Sequence, residues 1–302
     1  MEVQNDVLRL EGVFAPVPTV FDEQGNLALD RLQANIVRLC EAGIDGVVLL
    51  GSNGEYVSLS EAEKLAVIKA GLAALPAGKL GLVGTGCEST RGTVELTAEA
   101  ARLGAHAVMV VHPSYYKPLL NKAALLNHYR TVAKAAPVPV LLYSVPKFTG
   151  FDLPVDVAVA LSQEENIIGI KDSAGNVIQL QELLLKARPG WNVLVGTGSA
   201  LLAALSVGVT GGVLALANVA PAECAGLYRL CREGRWAEAR TLQARLLPVN
   251  QAVGGYMGIP GVKAAMEMLG YHGGPPRLPL QPLSAEERRV LSGILTSSQL
   301  LP

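Results

Sequence analysis

The sequence predicts an α/β protein built as a (β/α)8 TIM barrel with a C-terminal helical extension. Three observations lead there. Eight short runs rich in Val, Leu and Ile each end in a polar or glycine-rich turn. Segments with helical spacing separate the runs. After about Glu233 the alternation stops and only helix-like segments follow. Strands that alternate with helices run parallel, with the helices as crossovers. Eight such units match a barrel that usually takes roughly 250 residues. A doubly wound sheet is the alternative, and it would want a G-x-G-x-x-G turn or a Walker A loop. The chain has neither.

The runs are unbroken rather than alternating, as expected of strands covered on both faces. The first, "VFAPVPTVF" from Val13, is expected to end as a strand near Thr19. "GVVLLGSNGE" from Gly46, "LGLVGTG" from Leu80 and "AVMVVHP" from Ala107 follow. "VPVLLYSVP" from Val138, "IIGIKDS" from Ile167, "NVLVGTG" from Asn192 and "GGVLALAN" from Gly211 complete the eight. Between them, Leu65, Ile68 and Leu72 repeat at one helical face, as do Val94, Ala98 and Ala101, and Leu125, Tyr129 and Val132. Ser60 with Glu63 forms a capping box that opens the helix after the second run.

The tail contains "GRWAEARTLQARLL", "IPGVKAAMEMLGY" and "SAEERRVLSGIL", the last opened by a second capping box, Ser284 with Glu287. We expect residues 1–233 to form the barrel and 234–302 the extension. A piece of that size is too small to assume an independent domain and should pack on the barrel or on a neighbouring subunit.

Composition removes several function classes. Of 302 residues 50% are hydrophobic, enough for a large core. A formal charge of −1 gives no electrostatic case for binding nucleic acid or an anionic membrane. The opening "MEVQNDVLRLEG" resembles neither a secretory signal nor a transit peptide, and no apolar run is long enough to span a membrane. Cys40, Cys87, Cys224 and Cys231 form no C-x-x-C pair, and His106, His112, His128 and His272 show no metal-binding spacing. The expectation is a cytoplasmic, thiol-reduced protein that needs no metal and no cofactor.

In such barrels the active site lies at the C-terminal ends of the strands. The sixth run delivers Lys171 there, with Ser173 just beyond, and the fifth ends at Tyr143. An ammonium at the end of a buried strand either reaches solvent, pairs with Asp172, or sits in a dry cavity as a nucleophile. A lysine beside a phenol that can shuttle protons suits imine chemistry on a carbonyl substrate. The second run ends in Gly51-Ser52-Asn53-Gly54-Glu55, whose backbone N–H groups could hold a carboxylate or could simply form a tight turn. The seventh ends at Gly196, and the fourth leads to His112 and the pair Tyr115-Tyr116. We read Asp172 as a structural or capping carboxylate.

Together "GSNGEY", "HPSYYKP", "LYSVPKFTG" and "GIKDSAGN" resemble, in order and spacing, the dihydrodipicolinate synthase / N-acetylneuraminate lyase family of class I aldolases. The resemblance covers nearly the whole chain. It implies a (β/α)8 barrel assembled as a dimer of dimers, with Lys171 forming a Schiff base with pyruvate or another 2-oxo acid. It implies Tyr143 as proton shuttle, Tyr116 reaching into a neighbouring subunit's site, and Ser52-Asn53 holding the carboxylate of the 2-oxo acid.

Departures from the family pattern bear on the second substrate. Synthases of the family typically carry threonines where this chain has Ser52 and Asn53. They also carry an arginine five residues after the tyrosine, where Phe148 stands here with Lys147 beside it. Phenylalanine cannot form a bidentate carboxylate pair. "GCEST", "ALANV" and the closing "GYHGGPPRLPLQPLSAEE" are similar instead to the 4-hydroxy-2-oxoglutarate aldolase branch. That branch cleaves its substrate to pyruvate and glyoxylate, and Ser173 and backbone groups near Gly196 are then expected to hold the distal carboxylate. The sugar-acid aldolases of the family, the synthase itself and a non-catalytic 2-oxo-acid-binding barrel are the alternatives.

Overall fold

The computed structural model describes residues 8–301, so the opening stretch read for targeting signals lies mostly outside the described residues. Eight parallel strands pair in sequence order and close into a barrel. They are β1 (Gly12–Pro16), β2 (Gly46–Leu49), β3 (Leu80–Gly84), β4 (Ala107–Val111), β5 (Val140–Ser144), β6 (Ile167–Asp172), β7 (Asn192–Val195) and β8 (Gly211–Val213). Phe14, Val48, Leu82, Met109, Leu141, Ile168, Leu194 and Val213 fill the barrel interior. Residues of the opposite strand face, such as Val13, Val47, Val83, Val108 and Val193, pack outward under the helices. Burial of each such side chain is worth about 1.5–3 kcal/mol, which is why unbroken Val/Leu/Ile runs specify these strands. β1 ends at Pro16 rather than near Thr19. Thr19 instead turns inward, and its hydroxyl donates to the Gly54 carbonyl at 2.6 Å.

The outer ring is α1 (Leu29–Glu41), α2 (Glu61–Ala73), α3 (Thr90–Arg102), α4 (Lys122–Ala135), the single turn α5 (Pro146–Thr149), α6 (Val155–Leu161), α7 (Val177–Lys186), α8 (Leu201–Ser206) and α9 (Pro221–Arg232). The Ser60/Glu63 box caps α2 as expected. On α4, Leu125, Tyr129 and Val132 are buried as expected. The stripe on α3 is shifted: Thr93, Leu96, Thr97 and Ala100 are buried, and Ala98 is exposed. The two threonines can enter the core because their hydroxyls are paired, Thr97 with Thr85 at 2.8 Å and Thr93 with the Ser89 carbonyl at 3.0 Å.

Three further helices follow, α10 (Trp236–Asn250), α11 (Gly258–Met268) and α12 (Ala285–Ser297), the last capped by the Ser284/Glu287 box. Leu246, Val249, Val262, Ala265, Leu291 and Leu295 share one buried cluster with the outer face of the barrel. α10 contains Pro248 and runs on into a widened π-type stretch, Gln251–Tyr256, with Gly255 outside helical geometry. Proline removes a helical donor, and such widened turns are frequent at functional sites. The chain then folds back over the first two βα units. There Asn35 exchanges two hydrogen bonds with the backbone of His272, and Arg38 donates to the Gly270 carbonyl.

Candidate active site

A cavity of about 150 Å³ opens at the C-terminal end of the barrel. Ser52, Asn53, Tyr143, Lys171, Ser173 and Gly196 all line it. Those six residues come from four different strand ends, so closure of the barrel alone assembles them.

Lys171 is 4% exposed, and its Nζ lies 4.1 Å from the centre of the Tyr143 ring. Among the described residues it has neither a hydrogen-bonding partner nor an ion pair. The strand-end ammonium therefore neither reaches solvent nor pairs with Asp172. Asp172 points to the other face of β6, where it accepts from Ala174 N–H and Gln179 Nε2, each at 2.9 Å. Burial pushes its carboxyl up to about 6 against the Ala174 hydrogen bond, with the nearby Asp152 charge adding to the rise.

The inward aim of Lys171 has a local cause. Val140 pairs with Ile167 but Leu141 pairs with Gly169, so β6 carries one extra residue against β5. Such a bulge re-aims the side chains after it. Ile168 and Lys171, three residues apart, both face the interior in consequence, while Ile170 faces out. Gly169 is required at this point, because a Cβ there would lie 2.3 Å from the Asn192 carbonyl oxygen. Past the bulge, Tyr143 and Lys171 are register partners on adjacent strands.

The Tyr143 hydroxyl is 3.3 Å from Ser52 Oγ. Ser52 and Asn53 begin a one-turn 3-10 segment, Ser52–Gly54, whose first N–H groups have no acceptor within the turn. Ser173 and Gly196 touch: a Cβ on Gly196 would fall 1.9 Å from Ser173 Oγ, so glycine there makes room for the serine. The Gly196 N–H is already committed to the Asp172 carbonyl at 2.6 Å. Thr197, next in the chain, also lines the cavity.

Lys147 and Phe148 border the same cavity. Lys147 Nζ donates to the carbonyls of Gly254 and Gly255 in the π-type stretch, at 3.3 and 2.9 Å. Its ammonium is thereby engaged by the extension rather than free to replace an arginine fork. Phe148 is 57% exposed at the rim. Asn250, Val253, Gly254, Gly258 and Ile259 show that the extension supplies part of the cavity wall.

Tyr116 does not line the cavity of its own chain; it is 66% exposed on the β4–α4 loop, edge-on to Tyr115 at 5.0 Å. Glu88 organises that loop. Its carboxylate accepts from Ser114 N–H, Ser114 Oγ and Tyr115 N–H at 2.9–3.2 Å. Partial burial alone would raise the Glu88 carboxyl, but the Tyr115 and Ser114 donors outweigh it and hold the group below its ordinary range. His112 is buried with its ring tilted against Phe151 at 4.3 Å between centroids, and burial lowers its imidazole pKa, so it packs the loop base.

Two residues had gone unmarked. Glu88 stands in "GCEST" with no local sign of its long-range clamp. Tyr56 shares a smaller cavity with Ser52 and Tyr143, and burial, aided by the neighbouring Tyr143 and Glu88, pushes its phenol up to about 12. Among the described residues no group of three or more His, Cys, Asp or Glu could hold a metal ion, and no helix is long and apolar enough to cross a membrane.

Comparison with known proteins agrees with this geometry. The model of the dihydrodipicolinate synthetase family matches residues 9–298. A 4-hydroxy-tetrahydrodipicolinate synthase of Methanothrix thermoacetophila is 37% identical over 288 residues, covering 94% of this chain and 96% of the relative. A probable mitochondrial 4-hydroxy-2-oxoglutarate aldolase of Emericella nidulans is 35% identical over 298 residues, covering 95% and 94%. A prophage protein of the dihydrodipicolinic acid synthase family from E. coli K12, solved in complex with pyruvate, superposes with a TM-score of 0.92 at 30% identity, covering 96% of this chain and 99% of that one. With a matching family model over nearly its full length and relatives above 30% identity, the chain belongs to the dihydrodipicolinate synthetase family.

Proposed function

We propose that this protein is a Schiff-base (class I) aldolase that cleaves 4-hydroxy-2-oxoglutarate to pyruvate and glyoxylate. The observation that carries the aldolase reading is the pairing of an inward-facing Lys171, without a counter-ion among the described residues, with the Tyr143 phenol in one small cavity. The Lys171 amine attacks the C2 ketone. Tyr143 gives its proton to the departing C2 hydroxyl, water leaves, and a protonated imine remains. The Tyr143 phenolate then takes the C4 hydroxyl proton, the C3–C4 electron pair moves into the imine, and glyoxylate departs. The enamine is protonated at C3 by the same phenol, and water hydrolyses the imine to pyruvate and the free amine. Ser52 Oγ holds Tyr143 in place, and the Ser52-Asn53 turn takes the C1 carboxylate. The known partner of a relative supports the first half: the E. coli K12 protein was solved with pyruvate.

The second substrate is argued from the rim. Among the described residues no arginine lines the cavity, Phe148 occupies the rim, and Lys147 is held by two carbonyls. A charge-assisted fork for aspartate semialdehyde is therefore missing. Ser173 with Thr197 beside Gly196 offers hydroxyls for the distal carboxylate of a five-carbon acid. The cavity is small for a long sugar acid. The synthase reading, pyruvate plus aspartate semialdehyde, is favoured by several relatives at 33–37% identity that are 4-hydroxy-tetrahydrodipicolinate synthases. A side-by-side assay separates the two: cleavage of 4-hydroxy-2-oxoglutarate should exceed condensation with aspartate semialdehyde, and Phe148→Arg should narrow the gap. Preference of the unmodified protein for the semialdehyde would overturn the assignment.

We also propose an assembly of paired dimers in which Tyr116 enters the partner's cavity. The support is a set of exposed large apolar side chains on the β2–α2 and β4–α4 loops, Val57, Tyr115, Tyr116 and Leu119. In a two-fold pair each site then draws lysine from one chain and tyrosine from the other. Mixing inactive Tyr116→Phe and Lys171→Ala subunits should restore activity, because a mixed dimer contains one intact site. No recovery after verified exchange would place Tyr116 outside the reaction of its neighbour. Residues 1–233 are taken as the barrel unit and 234–302 as a helical extension packed on the barrel or on a subunit interface. The four free thiols suit the reducing cytoplasm, where we place the enzyme.

A further inference from the structure

The turn that carries Ser52 and Asn53 is bracketed by two residues in the left-handed region, Leu50 (φ 53°) and Glu55 (φ 53°, ψ 33°). Neither is glycine, so each is strained and stays there only because its surroundings hold it. Leu50 is held by the hydrophobic core. Glu55 is held by charge. Its Oε1 lies 2.6 Å from Lys263 Nζ, and both side chains are 1% exposed. That oxygen has no hydrogen-bond partner among the described residues, so the ion pair is its one polar contact there. Its Oε2 accepts the Arg277 N–H at 2.8 Å. Lys263 belongs to α11, and its Nζ also donates to the Pro275 carbonyl at 2.8 Å and lies 4.5 Å from the centre of the Phe21 ring. The Arg277 guanidinium ties the same corner together, bonding the carbonyls of Ser58 and Gly25 and both carboxylate oxygens of Glu63.

We propose that the buried Glu55–Lys263 pair positions the turn that receives the carboxylate of the 2-oxo acid, so that the C-terminal extension sets the affinity of the site. The proposal rests on the reading of Ser52-Asn53 as the carboxylate site and of Lys171 as the imine former. A buried pair is weak evidence for stability, since well-packed apolar groups often replace one without loss. Its retention here is explained by what it holds. Removing Lys263 leaves a desolvated carboxylate without its counter-charge and with only the Arg277 N–H as donor among the described residues, and Glu55 can relieve this by rotating out of the left-handed region. That rotation swings the Ser52–Gly54 segment, because Glu55 N–H closes it on the Ser52 carbonyl.

The test measures borohydride trapping of the pyruvate imine as a function of pyruvate concentration, together with thermal melting, in Lys263→Met, Glu55→Gln and the double variant. We expect Lys263→Met to raise the half-saturating pyruvate concentration by about tenfold or more, the scale on which a partner behind a liganding group acts. Trapping at saturating pyruvate should be nearly unchanged. The double variant should recover part of the loss, because no uncompensated charge remains. Glu55→Gln keeps an acceptor for the Arg277 N–H and carries the same expectation in milder form should Lys263→Met fail to fold. A fall in melting temperature with an unchanged half-saturating concentration would make the pair a fold element only and overturn the proposal. Absence of any adduct in the unmodified protein would instead remove the aldolase reading on which the proposal stands.

Discussion

Replacing Lys171 by alanine is expected to lower turnover by more than about 10⁴-fold, the scale seen when a covalent nucleophile is removed. No other described lysine can substitute at the reacting carbon. Lys147, the other lysine lining the cavity, is tethered to the Gly254 and Gly255 carbonyls. The fold should survive the change. Among the described residues Lys171 has no ion pair to lose, and truncation removes a nearly buried amine from the barrel rather than orphaning a partner. Steady-state release of pyruvate and a thermal melt check both halves. A well-folded Lys171→Ala protein that kept turnover within a factor of about ten would move the imine elsewhere.

Tyr143→Phe should be nearly as damaging but in a different way. The ring stays packed in the interior beside Leu141 and Val145, so the barrel is undisturbed. The hydroxyl that reaches Ser52 Oγ at 3.3 Å is gone, and with it the group that takes and returns protons at C2, C4 and C3. Turnover should fall by ~10²–10⁴, the range for a positioned acid–base group. The imine should still be trapped at high pyruvate, though more slowly, because the amine and the carboxylate site remain and water can replace the phenol as the proton donor to the leaving C2 hydroxyl. Near-normal turnover in Tyr143→Phe would reduce the phenol to a packing group.

The barrel was legible because its code is short-range. Unbroken Val/Leu/Ile runs and helical spacing are properties of adjacent residues, and two capping boxes fell where they were read. Lys171 stood out for a related reason: an ammonium at the end of a buried run is a local contradiction that calls for a cause. What could not be read was set by the other strand or by a distant segment. The bulge that turns Lys171 inward exists only in the register of β6 against β5, and Gly169 looks like any strand glycine until the Asn192 carbonyl is beside it. The stripe on α3 was misplaced because threonine reads as polar, whereas Thr93 and Thr97 are buried with their hydroxyls satisfied. The Glu55–Lys263 pair joins the second βα turn to α11, and neither residue carries a sign of the other.

The candidate site divides along the same line. Ser52, Asn53, Tyr143, Lys171, Ser173 and Gly196 sit at strand ends and line one cavity; the rule that barrel sites lie there pointed to these positions, and the family resemblance supplied the expected roles. Tyr116 follows a different logic. In the proposed assembly its place depends on a second copy, and its own chain leaves it exposed.

The central claim is that Lys171 forms the imine, and one measurement addresses it directly. The protein is incubated with pyruvate, reduced with borohydride, digested and mapped by mass. The account predicts a single added mass, that of a reduced pyruvyl group, on the peptide carrying Lys171 and on no other lysine. An adduct on Lys147 or any other lysine, or no adduct at saturating pyruvate, would contradict it.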